Sequence, residues 1–440
     1  MSQPPITHRS VLTVAVPIML SNVSEPLIGV VNTAVIGQLP DPYYIGAIAV
    51  GALIFSFIFW GFGFLRLSTG GLSAQATGAG DTPELVAVLI RALMIAGVAG
   101  VGLIALSPLI RNVAFDLIGG SQDIRAHGEA YFNIRIWSAP AAFANYCVMG
   151  WFIGQSKARL AFLVQLFLNV TNMVLSTTFV MHFGMTSNGV GFAALIAEWS
   201  AAALALVLAV SMLRNMGAHL SRERIFDGKA MWKTIAMNGD VMIRTLCLVF
   251  AFSWFVSRGA RAGDVVVAAN AVLLNFFEVA AYMIDGFAYA SEALVGQAVG
   301  AGNRQRFRAA IRLTSVWAMA LGVICSLIIW AAGPWFIELM TVNPEVRQAA
   351  RTYLPWAAIS PVLGVIAFQF DGIFTGALAT KDMRNMMIVS LAIFMAAWWL
   401  LEARFGNHGL WAALNIFFVA RGITFASRMP TLERRAFHSV

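Results

Sequence analysis

Charge is scarce in this chain. Asp, Glu, Lys and Arg together make up 11% of its 440 residues, against 59% hydrophobic residues. Soluble domains carry about 25% charged residues and about half apolar ones. A soluble fold is excluded, and the main solvent of this chain is lipid. Cysteine is scarce too. Cys147, Cys247 and Cys325 all fall in apolar runs; this excludes a disulfide framework and predicts inert packing thiols. The six histidines show no metal-ligand spacing, and no Walker-type phosphate loop or Ser/His/Asp arrangement is present. No resident metal, no cofactor, no nucleotide-driven step and no enzymatic chemistry are expected. The opening Met1 to Ser10 is polar and lacks the short apolar region and small-residue site of a cleavable leader, so the first apolar run is expected to stay in the mature protein.

What is abundant is long apolar runs. They lie at roughly 11–37, 45–77, 85–109, 128–153, 160–182, 188–213, 231–257, 264–297, 309–332, 348–376, 385–403 and 408–428. About 20 apolar residues in helical form cross a hydrocarbon core of about 30 Å. Backbone groups in lipid must pair within their own segment, so these runs predict twelve transmembrane helices. A spanning barrel would need short alternating segments instead.

The formal net charge is +8, which alone would suit a nucleic-acid partner. The positive residues sit in alternate loops, however. One set holds Lys157 and Arg159; Arg214, Arg222, Arg224, Lys229 and Lys233; Arg304, Arg306, Arg308 and Arg312; and Lys381 and Arg384. The opposite loops hold mainly Arg111, Arg125, Arg258, Arg261 and Arg404. That asymmetry is the positive-inside pattern and places both termini in the cytoplasm. The basic loops have no interleaved aromatic platform, so no nucleic acid is expected.

The chain repeats itself. Gln75-Ala-Thr-Gly-Ala-Gly80-Asp81 recurs as Gln297-Ala-Val-Gly-Ala-Gly302-Asn303, and the same spacing links Tyr131 to Tyr353, Ser138 to Ser360 and Gly154 to Gly376. Each repeat spans six helices, an even number, so the halves are parallel repeats related by an axis along the membrane normal. The expected division is a lobe at 1–213, a cytoplasmic linker at 214–230 and a second lobe at 231–440. In such folds substrate binds between the halves, and rocking gives alternating access.

Ala15-Val-Pro17, Ser21-Asn22, Pro26 and Asn32-Thr-Ala-Val-Ile-Gly37 resemble the first helix of the multidrug and toxic compound extrusion (MATE) family. Phe64-Leu-Arg66-Leu-Ser68-Thr69, Ser138-Ala-Pro140, Asp285-Gly-Phe-Ala-Tyr-Ala290 with Glu292, Gly296-Gln-Ala298 and Asp371-Gly372 resemble its DinF branch. The likeness covers nearly the whole chain. It implies a V-shaped pair of lobes and export of bulky cationic or amphipathic compounds in exchange for protons or sodium. It also implies small-molecule partners, a monomer and the bacterial inner membrane. The chain departs from the family at two places: an aspartate is usual at the position of Asn32 and frequent at that of Ser176.

Ionisable residues inside spans are expensive and point to function. Glu25 precedes Asn32 by two helical turns and adjoins Pro26, whose missing donor frees a carbonyl; it is the candidate to replace the acid absent at Asn32. Glu278, Asp285 and Glu292 are spaced by seven, one acidic stripe about 20 Å long. Asp371 has Met149 as its repeat counterpart, so its acid belongs to the second half alone. Glu25, Asn32, Glu278, Asp285 and Asp371 are therefore the coupling candidates, and Asn22, Pro26, Gln165, Asn172 and Ser176 the candidate lining of a substrate cavity. Asp240 and Arg244, four apart, predict a pair on one helix face. Arg66 and Arg421 need acidic or carbonyl partners, with Glu198 a candidate for one of them. A flippase of lipid-linked molecules is the competing function; it calls for a cleft rich in Arg and Lys, whereas the charges inside these spans are mainly acidic.

Overall fold

A computed structural model describes residues 5–39, 41, 43–119 and 121–437, save the side chain of Glu25. Helices run in the order α1 (His8–Ile36), α2 (Tyr43–Gly61), α3 (Phe64–Ala79), α4 (Thr82–Ala105), α5 (Ser107–Ile118), α6 (Gln122–Arg135), α7 (Ala139–Gly154), α8 (Ala158–Thr177), α9 (Ser187–Asn215) and α10 (Arg222–Ile225). They continue as α11 (Gly228–Arg261), α12 (Asp264–Gly300), α13 (Arg304–Met340), α14 (Pro344–Gly376), α15 (Thr380–Phe405) and α16 (Asn407–Phe437). No strand occurs among the described residues.

Eleven stretches among the described residues are single helices, or nearly unbroken helical runs, long and apolar enough to cross a membrane. The twelfth expected span is there as two helices. A 3-10 turn at Ile136–Ser138 separates α6 from α7, just before Pro140. Proline at this place lacks a backbone donor and restricts the residue before it, so the helix tightens where the i→i−4 ladder is interrupted. In the second half the matching Pro361 is held inside the continuous α14. The halves differ in the reverse sense at Gly61-Phe-Gly63, which breaks α2 from α3, while Met283-Ile-Asp285 at the equivalent place keeps α12 continuous.

The duplication is visible in the turns. Gly80 adopts a left-handed φ of 69° and Gly302 one of 64°. In the first turn the N–H of Asp81 donates to the carbonyl of Ala76 at 3.0 Å, and in the second that of Asn303 donates to Ala298 at 2.9 Å. Both are Schellman-type endings, and the next residue caps the following helix. Asp81 accepts from the Glu84 N–H and Asn303 from the Arg306 N–H. Ser156 and Leu378 also match, with φ of 58° and 56°, although neither is glycine.

The chain packs as two compact bodies, Leu20–Ile235, and Met1–Met19 together with Ala236–Val440. The division differs from the expected 1–213 and 231–440 at its N-terminal edge. The first turns of α1 pack with the second body because Gly286 of α12 has no Cβ where Met19 and the Ala15 carbonyl lie. The linker segment, with α10, packs in the first body.

That docking rests on charge. Arg224 of α10 pairs with Asp81, and the buried Arg91 pairs with Glu84 and donates to the Arg224 carbonyl at 2.7 Å. Partial burial works against charge on Asp81, but the Arg224 hydrogen bond, the Glu84 N–H and the Arg224 charge together hold its carboxyl below the usual range. A depressed carboxylate stabilises above its unfolded pKa of about 3.9 and stops doing so as pH falls through the lower folded value. Docking of residues 222–225 is thus expected to be constant across neutral pH and to loosen only below about pH 4. Asp81→Ala removes cap and pair together and is expected to cost about 1 kcal/mol. Asp81→Asn keeps the cap, as Asn303 does, and is expected to cost less. Hydrogen exchange at 222–225 reads both; equal protection in wild type and Asp81→Ala would refute the account.

Candidate functional site

In the first body the polar side chains of α1 and α8 meet. Asn32 donates from Nδ2 to Asn172 Oδ1 at 3.5 Å, and the Ser176 hydroxyl donates to the same oxygen at 3.5 Å. One turn earlier on α8, Gln165 donates to Asn169 Oδ1 at 2.8 Å, and Asn169 donates to Ser24 Oγ at 2.7 Å. The α8 residues 165, 169, 172 and 176 are spaced 4, 3 and 4, one face of a helix. Asn32, Asn172 and Ser176 are thus brought together, and Gln165 lies on the same face of α8, bonded to Asn169. Asn169 and Ser24 were not singled out from the sequence, although the spacing on α8 contains the signal. Asn32 Oδ1 is buried without a protein partner. Every group in the set is neutral, so it offers oxygen ligands but no compensating charge.

Pro26 is exposed on α1, which runs through it as a continuous helix, and its missing N–H leaves the Asn22 carbonyl without its helical donor. Asn22 is half-buried and has an interaction partner. Glu25 belongs to α1, but its side chain lies outside the described residues.

Glu198 of α9 accepts from Asn145 Nδ2 at 2.8 Å. It is not the acid of Arg421. Arg66 also has an interaction partner, and its carbonyl lies where a Cβ on Gly150 would be.

The second body holds the buried charges. Asp371 of α14 pairs with Arg244 of α11 and with Arg421 of α16, the latter at 2.6 Å. Arg421 is wholly buried and lies over the Phe368 and Phe417 rings at 5.7 and 5.6 Å. Both arginines reach the same oxygen, Oδ2. The expected Asp240–Arg244 pair is corrected here. Asp240 takes Arg384 at 2.7 Å and the Thr380 hydroxyl at 3.0 Å. Spacing by four allowed the pair, but Asp240 is taken by Arg384 and Thr380 of α15, while Arg244 reaches Asp371 of α14.

The acidic stripe of α12 is kept by its unbroken helix. It is graded: Glu278 is exposed, Asp285 half-buried and Glu292 buried. Asp285 and Glu292 both have interaction partners. Among the described residues no group of His, Cys, Asp or Glu is arranged to hold a metal ion.

Comparison with known proteins identifies the family and the fold. The MatE family model matches residues 17–178 and again 241–398, two copies at the spacing of the repeat. The DNA damage-inducible protein F of Escherichia coli K12 is 38% identical over 430 residues, covering 96% of this chain and 92% of that protein. A probable multidrug resistance protein NorM of Agrobacterium fabrum is 23% identical, covering 97% and 94%. Among solved structures, a MATE transporter in the bent conformation superposes with a TM-score of 0.88 at 17% identity over 97% of this chain and 96% of that one. An outward-facing multidrug resistance MATE family transporter of the MOP superfamily superposes at 0.87 and 17% identity, covering 97% of both. The fold is the two-lobe, twelve-helix transporter fold. The chain belongs to the multidrug and toxic compound extrusion family, in its DinF branch, and is a multi-pass membrane transporter, not an enzyme.

Proposed function

We propose that the protein exports bulky amphipathic small molecules, cations among them, by antiport against protons or sodium. The observation that carries the reading is Glu278. It is an exposed carboxyl midway along α12, a helix of 37 residues. A carboxylate facing hydrocarbon at that depth is costly, so its face lines a wet path. Asp285 follows one step deeper on the same stripe, and the two form a graded route for a small cation. Asp371 is assigned a different role, because two guanidinium groups already compensate it. The first body contributes neutral oxygens at Asn32, Asn172 and Ser176, with Glu25 as its acid. The relatives named as multidrug resistance proteins support export of drugs. We place the chain in the bacterial inner membrane as a monomer with both termini cytoplasmic.

The test is efflux of a cationic dye from proteoliposomes under separately imposed proton and sodium gradients. Wild type is expected to respond to at least one of them. Glu278→Gln is expected to lose at least about 90% of that response, with dye binding at equilibrium retained. No response of the wild type to either gradient would defeat the antiport reading, and full efflux by Glu278→Gln would defeat the role of Glu278. A flippase of lipid-linked pyrophosphates calls for a cleft rich in Arg and Lys, whereas the second body sets Arg244 and Arg421 beside Asp371 and carries the acids Glu278, Asp285 and Glu292 along α12.

A further inference from the structure

The Arg244–Asp371–Arg421 cluster holds more donors than it uses. A guanidinium has five N–H donors in a rigid fork. Arg421 spends Nη2 on Asp371, while its Nε and Nη1 are buried without a protein partner, and so is Nε of Arg244. Asp371 accepts both arginines on Oδ2, and its Oδ1 is buried and unpaired. A carboxylate built only to neutralise two arginines would use both oxygens, each against one fork. Here the triad keeps a net charge of +1 and idle donors. The charge of Asp285 also acts on Arg421.

The cluster is special to the second half. At the repeat spacing Asp371 corresponds to Met149 and Arg244 to Asn22, so the scaffold does not require it. It is also not sealed, because the side chains of Arg244 and Asp371 are 12% and 10% exposed. An aromatic wall adjoins it. Phe252 lies two turns from Arg244 on one face of α11, and Phe368 lies one turn before Asp371 on α14; both are half-buried. Behind them Phe277 and Phe418 stack at 4.9 Å between centroids.

We propose that Arg244 and Arg421 form a binding site for the acid group of an amphipathic organic anion, whose apolar part lies against Phe252 and Phe368, with Asp371 as the internal carboxylate that the ligand displaces. The chemistry is that of any two-oxygen acid on an apolar body: a carboxylate reads a guanidinium fork by paired hydrogen bonds, and a lipid phosphate shares that chemistry. This deepens the efflux reading, on which its transport consequence rests, by adding acids to the substrates.

The sign of one substitution separates a binding site from a structural triad. Equilibrium binding of 1-naphthylacetate to the purified full chain in neutral detergent is measured by calorimetry, beside its cationic analogue 1-naphthylethylammonium. Asp371→Asn keeps an acceptor for the arginines but removes the competing charge, and is expected to tighten naphthylacetate binding by about tenfold. Arg244→Gln leaves the Arg421–Asp371 pair in place and is expected to weaken it by about tenfold or more while leaving the ammonium analogue unchanged. Loss of binding, or no change, in a folded Asp371→Asn protein would overturn the proposal. If that variant does not fold, an unaltered affinity in Arg244→Gln overturns it alone. Titration with phosphatidylglycerol distinguishes the sources: displacement of naphthylacetate assigns the acid group to a lipid headgroup, and no displacement to a soluble acid. No gradient is present, so these results stand apart from failure or success of antiport.

Discussion

Gly372→Ala is expected to destabilise the second body by about 3 kcal/mol, at or above the upper end of ordinary overpacking. A Cβ at this position meets the carbonyl and Cα of Ala288 on α12. The obstruction is backbone, so no side chain can rotate away, and α12 and α14 must separate. Gly376, one turn on, sits against the Glu292 carbonyl and the Gly296 N–H, and the first half repeats the arrangement with Gly150 on the Arg66 carbonyl and Gly154 on the Gly70 carbonyl and Ser73 hydroxyl. Small residues four apart let helices in lipid approach closely where no hydrophobic drive exists between them. Thermal unfolding of the detergent-purified protein measures the effect. Gly150→Ala is expected to behave alike. Gly97→Ala, where a Cβ meets nothing within 4 Å, is expected to gain up to about 1 kcal/mol from helix propensity. Equal stability of Gly372→Ala and Gly97→Ala would refute the packing account.

The second large effect is Arg421→Met. Methionine fills a similar volume and keeps contact with Phe368 and Phe417, but Asp371 loses one of its two compensating charges. Removing one partner of a buried ion pair costs about 3–5 kcal/mol, chiefly because the remaining charge is left without solvent. Arg244 still faces Asp371, so the lower end of that range is expected. A double-mutant cycle with Asp371→Asn isolates the pair, and an interaction energy of roughly 0.5–3 kcal/mol is expected between the two sites. A cycle value of zero would show that Arg421 is held by packing and not by the carboxylate.

The two variants probe different parts of what was legible. Twelve spans, all-helical structure and duplication followed from composition and spacing, because run length in lipid and the glycine-led turns at Gly80 and Gly302 are local. The twelfth span was legible as an apolar run, while its 3-10 break at Ile136–Ser138 was marked only by Pro140. The polar face of α8 was half read: Gln165, Asn172 and Ser176 were singled out, and Asn169 fell on the same face.

The sequence by itself determined a membrane transporter scaffold made of two repeated halves, with the acids inside its spans concentrated in the second half. Only the tertiary structure decided how those charges are used. It took Arg244 away from Asp240, four residues off on its own helix, and gave it to Asp371, 127 residues away. It set Arg421 on the same oxygen and left Glu278 exposed. The physical reason is that a buried charge binds whichever opposite charge its helix face meets, and which faces meet is fixed by close glycine contacts such as Gly372 on Ala288, not by spacing along one helix.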